Sequence, residues 1–148
     1  MNIQDIISSS IGLLYFIPLI LYNYTQNPLQ LKGFIGLGAT TIISETIKYV
    51  FIKQLSPRPK GATNCNLLCN DGNQEGRPGM PSSHSAEVVF FSAFYIQQTN
   101  NIIIKICLVV YAGLVMLSRY IKRCHTINQI GVGALLGLSL NYLVVRHL

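Results

Sequence analysis

Five long apolar runs occupy most of this 148-residue chain and limit what it can fold into. A helix that crosses a lipid bilayer needs about 20 mostly apolar residues. Only 11% of the residues are charged, against about 25% in an ordinary soluble domain. We therefore predict a single-domain, all-α integral membrane protein, a bundle of about five transmembrane helices. The predicted spans are 6–24, 33–52, 82–97, 102–118 and 127–145.

The chain is basic, with 11 Lys and Arg residues against 5 Asp and Glu. A basic balance is also common in nucleic-acid-binding proteins, where the charges cluster on a soluble face. Here the basic residues lie at the ends of the apolar runs. The pattern indicates the bilayer and its anionic head groups as partners, and no nucleic acid.

Two ionisable residues lie well inside the second run. Glu45 and Lys48 are three residues apart, so they share one face of a helix. Ionisable groups within a span are energetically costly and usually face the interior of the bundle. The pair is either a structural ion pair or part of a functional site, and the sequence leaves both interpretations open.

The two polar loops, 53–81 and 118–126, are expected on the same face of the membrane, because successive spans alternate in direction. The first is rich in Pro, Gly, Asn and Asp and is the long polar stretch of the chain. The positive-inside rule would make this basic face cytoplasmic. Residues placed there for chemistry do not count toward that rule, so the orientation stays open. This face holds seven of the eleven basic residues: Lys53, Arg58, Lys60, Arg77, Arg119, Lys122 and Arg123.

The same face carries groups suited to binding phosphate. Arg58 and Arg119 offer planar guanidinium groups that match phosphate oxygens. Ser82 and Ser83 stand at a predicted helix start, where backbone N–H groups favour anions.

Two histidines, His84 and His125, complete the candidate chemistry on this face. One neutral imidazole can attack phosphorus while the other protonates the leaving oxygen. From the residues alone, the expectation is membrane-embedded anion or phosphate chemistry.

The order of these residues resembles the type 2 phosphatidic acid phosphatase superfamily over about residues 40–145. That family carries the motifs Lys-x6-Arg-Pro, Pro-Ser-Gly-His and Ser-Arg-x5-His-x3-Asp. The corresponding stretches here are 56–59 (Ser-Pro-Arg-Pro), 81–85 (Pro-Ser-Ser-His-Ser) and 118–125, in which Ser-Arg is followed by a histidine after five residues. Their wording is most similar to the dolichyl diphosphatase branch.

The resemblance implies a lipid phosphate or diphosphate phosphatase with a polyprenyl diphosphate as the favoured substrate. It implies a phosphohistidine on His125, with His84 as the general acid. It implies no metal and no cofactor, and it favours an endomembrane such as the ER. By position, the phosphoryl oxygens would be held by Arg58, Arg119, Ser82 and the backbone of Ser83.

The lysine of the first motif is out of register. Phe51 stands seven residues before Arg58, and the nearest lysines are Lys48 and Lys53. We favour Lys48 slightly, as if about one extra helical turn followed it, and Lys53 remains the alternative.

Gln129 occupies the position of the family's aspartate. An aspartate would orient the His125 imidazole and stabilise its cation, whereas Gln129 can orient the ring without bringing charge. This difference and the shifted lysine motivate an alternative function. The chain would then be a catalytically weak or inactive relative that binds lipid head groups or acts as a scaffold.

Three cysteines, Cys65, Cys69 and Cys124, lie on the same face as the histidines. A disulfide from Cys65 to either of the other two is expected if that face is lumenal, and free thiols if it is cytoplasmic. A zinc site through these thiols lacks a recognisable ligand spacing.

Overall fold

The computed structural model describes residues 2–147, and the regular structure within them is entirely helical. The fourth helix continues as a π-helical turn, Ile47–Ile52, and a 3-10 turn, Lys53–Leu55. The helices in chain order are α1 (Ile3–Ser9), α2 (Ile11–Leu14), α3 (Phe16–Thr25), α4 (Pro28–Thr46), α5 (Ser83–Gln98), α6 (Ile102–Ile121) and α7 (Ile127–His147).

Four helical segments are long and apolar enough to cross a membrane: Ile3–Thr25, Pro28–Leu55, Ile102–Ile121 and Ile127–His147. The prediction of an all-helical membrane bundle is therefore confirmed. The helix found at the predicted span 82–97 is α5, whose 16 residues extend about 24 Å. That is shorter than the hydrocarbon core of about 30 Å. Because α5 packs against α4, α6 and α7, its serines and its glutamate face protein, and it does not need the all-round apolar surface of a lipid-exposed span.

The first apolar run is a broken helix. The backbone is interrupted at Ser10 and Tyr15, where the Ser10 hydroxyl donates to the Ile7 carbonyl at 2.7 Å. Serine hydroxyls compete in this way with the helical hydrogen-bond ladder. As a result α1 lies against α6, α2 against α5 and α3 against α4.

Glycines bring α7 against α5 at very short range. A Cβ atom added to Gly133 would lie 2.4 Å from the Ser82 carbonyl oxygen, and one added to Gly137 would lie 2.3 Å from that of Ala86. The close packing predicted from the small residues of this span is present. It brings the beginnings of both helices together, and with them His84 and His125.

The segment between α4 and α5 folds across the end of the bundle. The Arg58 N–H donates to the Arg77 carbonyl at 2.7 Å, which pairs the two arms of the loop. A disulfide joins Cys65 to Cys124, the residue before His125. Of the two pairings left open by the sequence, the structure forms this one, and Cys69 and Cys107 are free thiols.

Candidate active site

A cavity of about 410 Å³ lies at the end of the bundle where α4 finishes and α5 and α7 begin. It collects residues from all three stretches that the sequence singles out. The predicted site residues in its wall are Lys48, Arg58, Ser83, His84 and His125. These residues lie up to 77 positions apart in the sequence, so their meeting is a product of the tertiary fold.

Lys48, rather than Lys53, lines this cavity. Its Nζ atom donates to Ser83 Oγ at 2.7 Å and to Glu45 Oε1 at 2.6 Å. Lys53 is exposed and does not line the cavity. The π-helical and 3-10 turns after α4 take up the additional residues before Arg58, which accounts for the shifted spacing. The ion pair between Glu45 and Lys48 is present and forms part of the wall.

Arg58 and His84 present nitrogen atoms that are not engaged by the protein. Among residues 2–147, Arg58 Nε, Arg58 Nη1 and His84 Nε2 are buried and have no hydrogen-bond partner. A buried donor without an acceptor is unfavourable by about 1–3 kcal/mol, and more for a charged group. An anion with several oxygen acceptors would satisfy the guanidinium, which is what a phosphoryl group offers.

Two predicted phosphate ligands, Arg119 and Ser82, lie behind the cavity wall. The Arg119 guanidinium is fully buried and donates to Ser8 Oγ and to the Cys65 carbonyl. Ser82 caps α5, and its Oγ accepts from the Ser85 hydroxyl at 2.9 Å. The structure therefore does not bring these two side chains into the cavity. The positive charge of Arg119 nevertheless acts on His125 through space.

The His125 ring is held by a backbone carbonyl. Its Nδ1 atom lies 2.8 Å from the Gly79 oxygen. Because a carbonyl oxygen can only accept, Nδ1 carries the proton and Nε2 keeps a free lone pair. Burial, followed by the charges of Arg119, Arg58 and Lys48, holds the pKa of His125 well below its usual value, and the bond to Gly79 opposes this only in part. At neutral pH the ring is a neutral imidazole, the form needed for attack on phosphorus.

The hydrogen bond expected between Gln129 and His125 is not formed. The Gln129 Nε2 atom donates to the Pro57 carbonyl at 2.8 Å and to Ser56 Oγ at 3.0 Å, while its Oε1 accepts from the Thr126 N–H at 3.1 Å. The Gln129 amide is thus bonded to other groups, and the Gly79 carbonyl takes the place of the expected acceptor.

Sequence reasoning assigned no role to the Gly79 carbonyl or to one acidic residue of the cavity, Glu87. Glu87 lines it and accepts from Thr41 Oγ1 at 2.8 Å, and Tyr15 in turn bonds to Thr41. The spacing of three residues places Glu87 on the same face of α5 as His84, which is a usable signal. No side-chain pattern marks the Gly79 carbonyl, because every residue has one.

In the part of the chain that the structure describes, no group of three or more His, Cys, Asp or Glu side chains is arranged to hold a metal. Cys65 and Cys124, two of the thiols considered for zinc, are joined in the disulfide. The positive charge in the cavity wall comes from protein side chains: Lys48, Arg58 and Arg77.

A family model for the PAP2 superfamily matches residues 31–148. The chain belongs to the PAP2 superfamily. No curated protein and no solved structure matches the chain. The family model begins in the first turn of α4 and covers the chain through α7, including all three stretches that meet at the cavity, whereas α1 to α3 precede it. At this level the protein is a multi-pass membrane protein of a superfamily whose members are generally phosphatases.

Proposed function

We propose that this protein is a membrane-embedded lipid phosphatase that forms a phosphohistidine on His125. The observation that carries the proposal is the convergence of a neutral His125, a second histidine and the cations Lys48 and Arg58 on one cavity. This set combines a nucleophile, a proton donor and a phosphate clamp without calling on a metal or cofactor.

The first step is attack on phosphorus. The Nε2 lone pair of His125 forms a bond to phosphorus as the bond to the leaving oxygen breaks. His84 gives its proton to that oxygen. Burial, followed by the charges of Arg119, His125 and Lys48, lowers the pKa of His84. The negative charge of a bound phosphate opposes this and favours the protonated form of His84 before the step. Lys48, Arg58 and the Ser83 backbone hold the phosphoryl oxygens, with Arg119 adding charge from behind them.

The second step is hydrolysis. Water attacks the phosphohistidine, His84 takes the proton of that water, and the nitrogen–phosphorus bond breaks. Inorganic phosphate leaves, and His125 Nε2 regains its lone pair. Both histidines return to their starting protonation states, so the cycle balances.

The apolar part of the cavity wall supports a substrate with a lipid tail. Beyond the phosphate-binding side chains, the wall continues with the apolar or aromatic residues Ile11, Tyr15, Tyr49 and Leu67. These come from α2, its junction with α3, the π-helical turn after α4 and the loop between α4 and α5.

The wall holds three cations and also three carboxyl side chains, Glu45, Asp71 and Glu87. Lys48 is paired with Glu45, whereas among residues 2–147 two Arg58 nitrogen atoms have no partner and can receive an anionic head group. A polyprenyl diphosphate is the substrate we propose.

The disulfide supports a site that faces an oxidising compartment. Cys65 and Cys124 lie on the catalytic face, and disulfides persist in the ER lumen or outside the cell rather than in the cytosol. We propose an endomembrane location such as the ER, with the cavity on the lumenal side.

Phosphate release from a polyprenyl diphosphate of about 15 carbons or more tests this function. Purified protein in detergent with EDTA should release phosphate, and His125→Ala should abolish release. His147→Ala is the matched control, because this exposed histidine lies at the end of α7, away from the cavity.

Folding of each variant is checked by its melting temperature. If folded wild-type protein releases no phosphate from this substrate or from phosphatidic acid, the proposal is wrong. The alternative, a catalytically inactive PAP2 protein that binds head groups or acts as a scaffold, would then replace it.

A further inference from the structure

We propose that Gln129 is a positioning residue. Its amide fixes the loop between α4 and α5, whose Gly79 carbonyl orients the His125 ring, and a carboxylate at position 129 lowers turnover. The role of the site in catalysis rests on the proposed function. The fixing of the loop by Gln129 does not rest on that function, and hydrogen exchange measures it independently.

The Gln129 side chain is 1% exposed, and both its nitrogen and its oxygen have hydrogen-bond partners, which come from two segments. We name the amide and its three partner residues, Ser56, Pro57 and Thr126, the amide clamp. Nε2 donates to the Pro57 carbonyl at 2.8 Å and to Ser56, through its Oγ at 3.0 Å and its carbonyl at 3.2 Å. Oε1 accepts from the Thr126 N–H at 3.1 Å. The Gln129 side chain thus ties the loop between α4 and α5, near Arg58, to the start of α7.

Only an amide matches this surrounding. The Ser56 and Pro57 carbonyls can only accept, so the atom facing them must donate. The Thr126 N–H can only donate, so the atom facing it must accept. An ionised glutamate has the same shape but offers acceptors on both sides, so two carbonyls would face a buried carboxylate, which is strongly unfavourable. A protonated glutamate would bring one O–H for the three acceptors that surround Nε2. Aspartate is also one methylene shorter.

The clamp reaches His125 through Gly79. A Cβ atom added to Gly79 would lie 2.7 Å from Gln129 Nε2 and 2.8 Å from its Oε1, so the glycine packs directly on the amide. The Gly79 N–H also donates to the Ser56 carbonyl at 2.9 Å, a group that Gln129 itself binds. The Gly79 carbonyl then orients the His125 ring. Displacing the amide therefore displaces the group that fixes the nucleophile.

The same residue fixes the start of α5. The Ser82 N–H donates to the Gln129 backbone carbonyl at 3.0 Å. The three stretches that build the cavity are therefore joined at a single residue of α7. The amide at this position is a specific structural choice, and restoring the family's aspartate should not improve the enzyme.

The test compares Gln129→Glu, Gln129→Asp and Gly79→Ala in purified full-length protein. We expect kcat to fall by about 100-fold, the scale of a misplacement of about 1 Å at a reacting group. KM should rise by a smaller factor than kcat falls, because Lys48 keeps its place in the cavity wall while Arg58 lies in the loosened segment. Hydrogen exchange in the segments around residues 56–59 and 76–82 should become faster in all three variants.

Asn141→Asp is the matched amide-to-acid control. Asn141 is buried on α7, twelve residues beyond Gln129. Its Oδ1 accepts from Gln97 at 2.7 Å, and within residues 2–147 its Nδ2 has no partner. This change keeps the hydrogen bond and buries a carboxylate far from the cavity. It should lower stability while leaving kcat and the exchange of both segments unchanged.

Two results would overturn the inference. One is a kcat for Gln129→Asp or Gln129→Glu equal to or above that of wild type, since the amide would then be only a weaker substitute for the acid. The other is unchanged exchange around residues 56–59 and 76–82 in the Gln129 variants. Hydrogen exchange tests the positioning role of Gln129 even if the wild-type protein shows no turnover. Failure of the proposed phosphatase function can therefore be distinguished from failure of this inference.

Discussion

The disulfide between Cys65 and Cys124 should contribute strongly to stability and activity. It ties the loop over the cavity to the residue preceding His125. The Cys65 carbonyl also accepts a hydrogen bond from Arg119, and the Cys65 N–H donates to Asp71 Oδ1 at 2.6 Å. We expect removal of the disulfide to lower both the free energy of unfolding and the turnover rate.

The magnitude follows from the chain that the disulfide closes. The two cysteines are 59 positions apart. Chain entropy predicts about 3 kcal/mol for a 15-residue loop and about 4.7 kcal/mol for a 100-residue loop. Because α5 and α6 remain helical when tertiary contacts are lost in an apolar environment, the flexible part of the enclosed chain is shorter than its full length. We therefore expect about 3–4 kcal/mol, or a melting temperature lower by on the order of 10 °C.

The assay uses the double variant Cys65→Ser/Cys124→Ser, so that no unpaired thiol remains at the site. Cys107→Ser is the control, because this free cysteine is exposed on α6. Thermal unfolding in detergent and phosphate release are measured for both proteins. Alkylation of the unreduced wild type should modify Cys69 and Cys107 and spare the disulfide pair.

Modification of all four cysteines without prior reduction would show that the disulfide does not form. A double variant with the melting temperature of the Cys107→Ser control would refute the entropic argument. An unchanged turnover rate despite a lower melting temperature would show that the loop stays in place without its covalent link.

Four further predictions address the site and the packing. Because the pKa of His125 is depressed, its imidazole should become protonated only at a pH below 6.5. The fall of kcat/KM on the acid side should therefore also lie below pH 6.5. Folding stability should decrease as the pH falls below about 6.5, where the unfolded state binds the extra proton. Lys48→Met should lower kcat/KM by about 100–1,000-fold, the usual effect of removing a phosphoryl donor, while Lys53→Met should be close to wild type in the same assay. Gly137→Ala should lower the melting temperature because its methyl group meets the α5 backbone, whereas Gly131→Ala, with nothing within 4 Å, should match or slightly exceed wild type.

Two pairs of charged positions, Glu45 with Lys48 and Lys48 with Lys53, separate what local helix geometry predicts from what it does not. Glu45 and Lys48 were expected on one helical face, and their ion pair is present, because a spacing of three is a local property of a helix. The choice between Lys48 and Lys53 was left open. It depends on how the chain leaves α4, where a π-helical turn absorbs residues that a regular helix would not.

Gln129 shows the corresponding limit within the site. Its position four residues after His125 suggested contact with the imidazole, but the side chain turns toward Ser56 and Pro57. Those partners are more than seventy positions away in the sequence. Their carbonyl groups exist at every residue, so no pattern of side chains announces them.

The amino-acid sequence by itself determined the helical membrane class, the approximate course of the helices and the set of residues from which the site is drawn. Apolar length and charge act locally along the chain, and each can be read without knowing its neighbours in space. Tertiary structure alone decided that Cys65 pairs with Cys124, that the Gly79 carbonyl holds His125, and that Arg119 stands behind the cavity rather than in its wall. Each of these outcomes depends on how a loop with little regular structure crosses the end of the bundle, and its path is set by packing against α1, α6 and α7 together.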